Sequence, residues 1–304
     1  MDKGLVIKTT GSSYLVYFED GHTEDCHIKG NFRIRGIRST NPAAVGDYVW
    51  VEKQADGTSW IKDIEERKNY IIRRSTNLSK ESHILAANLD RAALIVTLHH
   101  PETSTTFIDR FLATCEAYRV PAILIFNKID LLSEEEQADL DCLRALYESL
   151  GYPTYALSAL NDKVSLEPIT RGVTLLSGNS GVGKSTFLNA LFGCEKTRTG
   201  QISDAHDKGM HTTTFSEMYR YKDGWIIDTP GIKGFGAVQM EKEEISHYFR
   251  EIFRIGRECR YSNCLHTGEP GCAVHDAVVE GRIAMSRYES YLSLLGDCDE
   301  SKYR

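Results

Sequence analysis

No apolar run in these 304 residues approaches the roughly 20 needed for a helix to cross a bilayer, which excludes a helical membrane span. The opening MDKGLVIKTTGSS lacks the basic-then-apolar layout of a secretory signal, so a reducing, cytoplasmic setting is expected. In that setting the eight cysteines are not expected to pair as disulfides. There is no internal repeat and no low-complexity stretch. Cations are not in excess either: 36 Lys and Arg against 43 Asp and Glu leave a net charge of −7, which does not by itself point to nucleic acid. A whole-chain balance can hide a local basic face, however. From Lys29 to Arg38, KGNFRIRGIR carries cations and no acid, and Arg67, Lys68, Arg73 and Arg74 gather downstream. An RNA-contacting face and a solvated basic loop both remain open on residue type alone.

A hydrophobic fraction of 41% with 26% charged residues is ordinary for a globular chain, and the length exceeds the ~250 residues at which single cores stop growing. Residues 1–70 read as short β-segments (GLVIKTT, SYLVYFE, HTEDCHI, FRIRG, DYVWVEK, SWIKDIEE) separated by turn residues, the pattern of an all-β, OB-type barrel. Its aromatics Phe32, Tyr48, Trp50 and Trp60 are expected mostly in the barrel core. Residues 71–236 alternate apolar strands with amphipathic helices, an α/β pattern with a mostly parallel sheet and functional loops at the strand C-terminal ends. Residues 237–304 are helical and polar around a Cys/His-rich stretch.

The strongest local signal is GNSGVGKST, which follows GVTLLS and precedes FLNALF. It matches G-x-x-x-x-G-K-[ST] in full, so Gly178, Asn179, Ser180, Gly181, Val182, Gly183, Lys184, Ser185 and Thr186 are expected to cradle nucleotide phosphates. Lys184 would reach the β and γ oxygens, and the Ser185 hydroxyl would complete a magnesium ligand set. Guanine rather than adenine follows from FNKID: Asn127 borders the base and holds neighbouring loops, Lys128 lays its stem along the ring, and the Asp130 carboxylate accepts from two donors that adenine does not offer. Ser158 and Ala159, about 30 residues on at the next strand end, are small enough for a backbone N–H to approach the guanine carbonyl. In DTPG, Asp228 would hold magnesium through water and the Gly231 N–H would sense the γ-phosphate. The loop KGMHTTT resembles a switch, with Thr213 favoured over Thr212 to close on magnesium. Cys259, Cys264, His266 and Cys272 match a structural Cys3His zinc site, whereas Cys26, Cys115, Cys142, Cys194 and Cys298 read as ordinary cysteines.

These motifs occur in an unusual order: NKID, SA, phosphate loop, switch, DTPG. Joining the usual termini and cutting after the second switch gives the same sheet, a circularly permuted P-loop GTPase domain. The barrel, the permuted motifs and the Cys3His cluster (C-x4-C-x-H-x5-C, ending EPGCAV) together resemble the ribosome small-subunit-dependent GTPase A family of bacteria over essentially the whole chain. That resemblance implies a slow GTPase stimulated by the small (30S) ribosomal subunit, with its 16S rRNA as partner, acting late in subunit maturation and in release of an assembly factor. Slow intrinsic turnover agrees with Ile232, which stands where Ras-type GTPases have a water-orienting glutamine and has no hydrogen-bonding group. His211 and Gln239 are internal candidates for orienting the water. Nothing calls for a dimer, so a monomer is expected. The rival readings are a non-catalytic GTP-dependent RNA-binding module and, less well supported, a metal enzyme centred on the Cys/His cluster.

Overall fold

Alternation with period two places Val49 and Val51 of YVWVEK, and Ile61 of SWIKDI, on one side of their strands and the aromatics between them on the other. The computed structural model carries that pattern into a closed barrel. It describes residues 1–10, 13–28, 42–74, 82–162, 164, 166–193, 216–229 and 240–301. The basic stretch 29–38, the loop holding His211, Thr212 and Thr213, and Cys194, Gly231, Ile232 and Gln239 lie outside the described residues.

Strands β1 (Asp2–Thr10), β2 (Ser13–Phe18), β3 (Thr23–Ile28), β4 (Tyr48–Lys53) and β5 (Ser59–Ile64) pair in the order β1-β2-β3-β5-β4. β1 pairs with β4 as well, which closes the sheet on itself. The barrel core is Val6, Tyr14, Val16, Phe18, Cys26, Ala43, Val49, Val51 and Ile61. Tyr48 is exposed, and Trp50 and Trp60 are half-buried outside that core, so the expectation that these aromatics sit mostly in the core is corrected for the three, Phe32 lying outside the described residues. Pleating decides it: Val49, Val51 and Ile61 take the inward positions of β4 and β5, which turns Tyr48, Trp50 and Trp60 to the outer face, while Tyr14 and Phe18 of β2 supply the rings of the core. Arg67 is corrected too. Its guanidinium bonds both Asp47 oxygens, at 2.7 and 2.6 Å, and is almost wholly buried, while Lys68 pairs with Asp90, so neither is a free basic group.

A hairpin that the sequence reading did not single out, β6 (Tyr70–Arg74) with β7 (Ser82–Ala87), leads from the barrel into the α/β layer. Gly46 makes that junction possible. Its φ is +93° and a Cβ there would lie 2.2 Å from the Ala87 carbonyl oxygen, so the close approach requires glycine. Beyond it come β8 (Arg91–Val96), α1 (Thr105–Ala117), β9 (Ala122–Phe126), α2 (Glu134–Ser149), β10 (Thr154–Ala156), β11 (Arg171–Gly178), α3 (Lys184–Phe192), β12 (Glu217–Tyr221) and β13 (Asp223–Asp228). The spatial order is β10-β9-β8-β11-β13-β12, parallel except for β12. Helix starts follow local chemistry: Ser104 caps α1, and Ser133 with Glu136 forms a capping box on α2. β1 continues past the barrel to pair with β12 at Lys8 and Glu217, so one sheet runs from barrel to α/β layer.

The last unit contains α4 (Arg250–Gly256), α5 (Ala273–Val279) and α6 (Met285–Ser301) and packs on α1. At that interface Arg287 of α6 donates to Asp109 of α1 at 2.6 Å and to Glu251 of α4 at 2.6 and 3.2 Å, all three buried, with Tyr147 of α2 also donating to Asp109 at 2.9 Å. Burial pushes the Asp109 carboxyl above its ordinary range against the pull of that guanidinium. Arg287→Met strands two buried carboxylates, and is expected to cost about 3–5 kcal/mol in urea unfolding. Adding Asp109→Asn and Glu251→Gln should recover much of the loss.

Candidate functional site

The parallel strands β8, β9, β10, β11 and β13 all end at one edge of the sheet, and the sequence motifs sit in the loops leaving that edge. β11 runs into the phosphate loop, which turns through Gly181 (φ +86°) and Gly183 (φ +90°) before α3 opens on Lys184. A Cβ on Gly183 would stand 2.4 Å from Asn127 Nδ2, so glycine is required by the neighbour as well as by the turn. Asn127 is itself a buried brace. Its Nδ2 donates to the Val182 carbonyl at 2.8 Å, its Oδ1 accepts from the Ala159 N–H at 2.9 Å, and its backbone N–H reaches Val96. One side chain thus ties the phosphate loop, the NKID loop and the SA turn together.

Lys128 adopts a left-handed backbone (φ +63°) that throws its side chain across the phosphate loop, where Nζ donates to the Gly181 carbonyl at 2.7 Å and the His100 carbonyl at 2.6 Å. The 97–104 loop is a participant that sequence reasoning missed. Pro101 lies against the open face of Gly181, and Thr97 and Thr103 bond each other across the loop. The only hint was its place after a buried strand. Asp130 is exposed and has no partner among the described residues. Ser158 and Ala159 are buried, with the Ser158 N–H donating to Asp162 at 2.6 Å. Both of their N–H groups are engaged within the protein, and the next residue, Leu160, stands 79% exposed beside them.

On the other side of the phosphate loop Lys184 Nζ donates to Asp228 Oδ1 at 2.5 Å and to the Thr229 carbonyl at 2.6 Å, bringing GKS and DTPG together. The Thr229 hydroxyl donates back to the Leu176 carbonyl at 3.0 Å, fixing the end of β13 against β11. Ser185 and Thr186 are half-buried in the first turn of α3, and Asn179 and Ser180 lie at the loop's outer rim. The donor groups of this loop and the glycine cradle suit a phosphate chain, and Asp228 beside Ser185's helix suits a hydrated divalent cation.

A second cluster lies in the C-terminal unit. The ligand atoms of Cys259, Cys264, His266 and Cys272 all lie within 4.8 Å of one another. His266 Nδ1 is 3.5 Å from both Cys259 Sγ and Cys272 Sγ, and those sulfurs are 4.0 Å apart. A tetrahedral zinc ion requires S···N and S···S edges of about 3.5 and 3.8 Å, so the four donors fit that metal. The surrounding groups fix the ligand loop. Glu269 accepts the Leu265 and Thr267 N–H groups, Tyr288 and Tyr291 donate to the His266 and Leu265 carbonyls, and the His275 N–H donates to Cys272 Sγ. Burial lowers the His266 pKa, which keeps the imidazole in its neutral, ligating form. Among the described residues, Cys26, Cys115 and Cys298 are buried and Cys142 is exposed, all unpaired as disulfides.

The RsgA GTPase family model matches residues 64–238, and the RsgA N-terminal domain model matches residues 3–61. The chain belongs to the RsgA GTPase family. A relative in Phocaeicola vulgatus, named a small ribosomal subunit biogenesis GTPase, is 61% identical over 99% of each chain, and one of the same name in Bacteroides fragilis is 59% identical over 99% of each. Among solved structures, YjeQ from Thermotoga maritima superposes with a TM-score of 0.75 at 31% identity, covering 98% of each chain. YloQ, described as a circularly permuted GTPase, gives 0.74 at 28% identity over 100% of this chain and 97% of its own. The permuted motif order is therefore an RsgA-family architecture: OB-type barrel, permuted GTPase layer and a helical unit with a metal-binding-capable Cys3His cluster.

Proposed function

We propose that this chain hydrolyses GTP to GDP and phosphate during late maturation of the small ribosomal subunit, slowly alone and faster on that subunit, and that its turnover promotes release of an assembly factor. The observation that carries the reading is the convergence of three loops on one strand edge, with Asn127 joining Val182 to Ala159 and Lys184 joining Gly183's helix to Asp228. In this reading Gly178–Thr186 wrap the phosphates, Lys184 neutralises charge on the β and γ oxygens, and Lys128 and Asp130 hold guanine. Ser185 and Thr213, and Asp228 through water, would hold magnesium, which would supply charge stabilisation for the phosphates. Gly231 senses the γ-phosphate. Zinc on Cys259, Cys264, His266 and Cys272 is structural, because four protein ligands leave it no open position. The division into residues 1–70, 71–236 and 237–304 belongs to the same reading, as do a monomeric state and action in the cytoplasm, where subunits are assembled.

Asp130 gives a specific test. Its carboxylate would accept two guanine hydrogen bonds, so Asp130→Ala is expected to weaken GTP and GDP alike by about 10²-fold or more, with little change in turnover at saturating nucleotide. Equal nucleotide affinity in titrations of variant and parent would remove guanine recognition from this residue.

Contact with 16S rRNA is supported by the exposed face of α4 and the ligand loop. Arg254, Arg257 and Arg260 are exposed there, with Arg257 over the Phe253 ring at 4.8 Å and Arg260 over the Tyr261 ring at 5.4 Å. Interleaved cations and rings suit RNA phosphates and unpaired bases. Replacing these three arginines with alanine should flatten the log–log salt dependence of small-subunit binding by about 2, at roughly 0.7 per lost phosphate contact. The same measurement on Arg33, Arg35 and Arg38 tests the basic stretch of the barrel.

A further inference from the structure

The seam between barrel and GTPase layer carries a charged row beside its apolar contacts, in which Leu5 and Val45 share a core with Met218 and Ile227 and Tyr17 meets Trp225 edge-on. β1 pairs with β4 through Asp2–Leu5, shifts register against β2 between Val6 and Lys8, and meets β12 with Lys8 opposite Glu217. Across β12, Glu217 is in turn the cross-strand partner of Asp228 on β13. Directly opposed residues in antiparallel strands share a face with Cβ atoms about 4.5–5.5 Å apart. Lys8, Glu217 and Asp228 therefore form a row over three adjacent strands, and Lys184 closes it from the phosphate loop. The charges run plus, minus, minus, plus.

Each carboxylate in this row has a compensating group. Glu217 Oε1 accepts from Lys8 Nζ at 3.1 Å, and Oε2 accepts from the Tyr219 hydroxyl at 3.1 Å. The Tyr219 ring packs edge-on against Phe192 at the end of α3. Burial, then the Glu217 charge, raise the Tyr219 pKa, so its hydroxyl remains a donor to Glu217. Two like charges facing each other across a strand pair repel, and the repulsion depends on how fully each is neutralised. Lys8 comes from the barrel. The charge that Glu217 presents to Asp228 is thus set by a residue of another unit.

We propose that Glu217 is a positioning residue for the metal site, modulating through Asp228 how tightly the magnesium shell is held, with Lys8 of the barrel setting the charge that Glu217 presents. The inference rests on the reading of Asp228 as the carboxylate that holds magnesium through water. Withdrawing the Lys8 ammonium from Glu217 leaves an uncompensated negative charge beside Asp228 and tightens the site. An RNA phosphate that draws Lys8 away has that effect, which links engagement of the barrel to the nucleotide pocket without a contact between them.

The test is the magnesium concentration needed for half-maximal binding of a non-hydrolysable GTP analogue to the full chain, read by fluorescence rather than by turnover. Glu217→Gln should raise that midpoint and Lys8→Met should lower it, each by about three- to tenfold, and the two together should return it near the parent value. The exchange Lys8→Glu with Glu217→Lys separates this from simple stapling of the barrel. It preserves an ion pair at the seam but sets a cation opposite Asp228, so the midpoint should rise most of all. Asp228→Asn is the control and should raise the midpoint strongly. If Asp228→Asn shifts it while all the other variants stay within about twofold of the parent, or if the exchange restores parental behaviour, the inference is wrong. If Asp228→Asn itself has no effect, the reading of the metal site is wrong and the inference falls with it. Circular-dichroism melting of each variant confirms that the full chain is folded.

Discussion

Cys272→Ser is expected to abolish zinc retention and unfold the C-terminal unit, with the loss of most of its helical signal well below the melting temperature of the parent. Cys272 is buried, supplies one of four convergent ligand atoms and caps α5 by accepting the His275 N–H. Serine keeps an acceptor for the cap but is a poor zinc ligand, so the substitution isolates metal ligation. Apparent zinc-binding free energies in structural sites are about 10–16 kcal/mol and count as folding free energy, more than a small helical unit can lose. Metal analysis with melting checks it. Cys142→Ser, on the exposed face of α2, is the matched control and should shift stability by no more than about 0.5 kcal/mol. Retention of zinc and of parental melting by Cys272→Ser would contradict a structural metal there.

Lys184→Ala should lower GTP turnover by about 10²–10³-fold, the usual loss when one preorganised electrostatic donor is removed from a reacting centre. The Lys184 side chain bridges the phosphate loop to Asp228 and Thr229 at 2.5 and 2.6 Å, so its charge lies where the two motifs meet. Stability should change little. The Asp228 side chain keeps about 20% exposure, and water can take over part of what the ammonium supplied. Steady-state turnover beside nucleotide titration separates this variant from Asp130→Ala, because the lysine should act mainly on turnover and Asp130 on affinity. Unchanged turnover would support the non-catalytic reading.

What could be read from the sequence was what depends on few, local residues. GNSGVGKST, FNKID, DTPG and the Cys/His spacing each have a backbone or ligand requirement that adjacent residues satisfy, so their placement at one strand edge or in one metal-binding cluster follows from short segments. The contacts that join the units are different. Arg287 meets Asp109 across 178 positions, and Lys8 meets Glu217 across 209; neither pair has a local signature. Arg67 reads as one of a basic cluster because its partner Asp47, at the start of the β-segment DYVWVEK, lies 20 residues upstream with no local signature joining the two. Tyr48, Trp50 and Trp60 lie outside the barrel core that their apolar rings suggest. The alternation in YVWVEK already placed Val49 and Val51 inward and Trp50 outward, and period outweighs ring area when the interior of a small barrel is narrow. The β6–β7 hairpin has a weak sequence signal because YIIRR and SHILAA are short and flanked by polar residues.

The docking of the C-terminal unit also sharpens the permuted order. The chain emerging from β13 leads to a body that is clamped on α1 by Arg287 and by the Arg110 to Asp297 pair at 2.8 Å. Met240 is buried where that body begins, and Cys298 donates to its carbonyl. On the proposed reading, a nucleotide-dependent change at Asp228 would begin beside Thr229, which is bonded into the sheet, and Met240 is buried where the helical unit opens. The barrel joins the same sheet at the opposite edge through Lys8. Both units proposed to touch the ribosome pack on the α/β layer, the barrel through β1 and β12 and the helical unit through α1.

The most direct measurement is single-turnover GTP hydrolysis by the full chain with and without purified small ribosomal subunits, with Lys184→Ala as the control. A rate that is slow alone, rises at least about tenfold with the subunit and collapses in the Lys184 variant is the result expected of a partner-gated GTPase. Equal rates with and without the subunit, or a Lys184→Ala protein that hydrolyses GTP as the parent does, would contradict it.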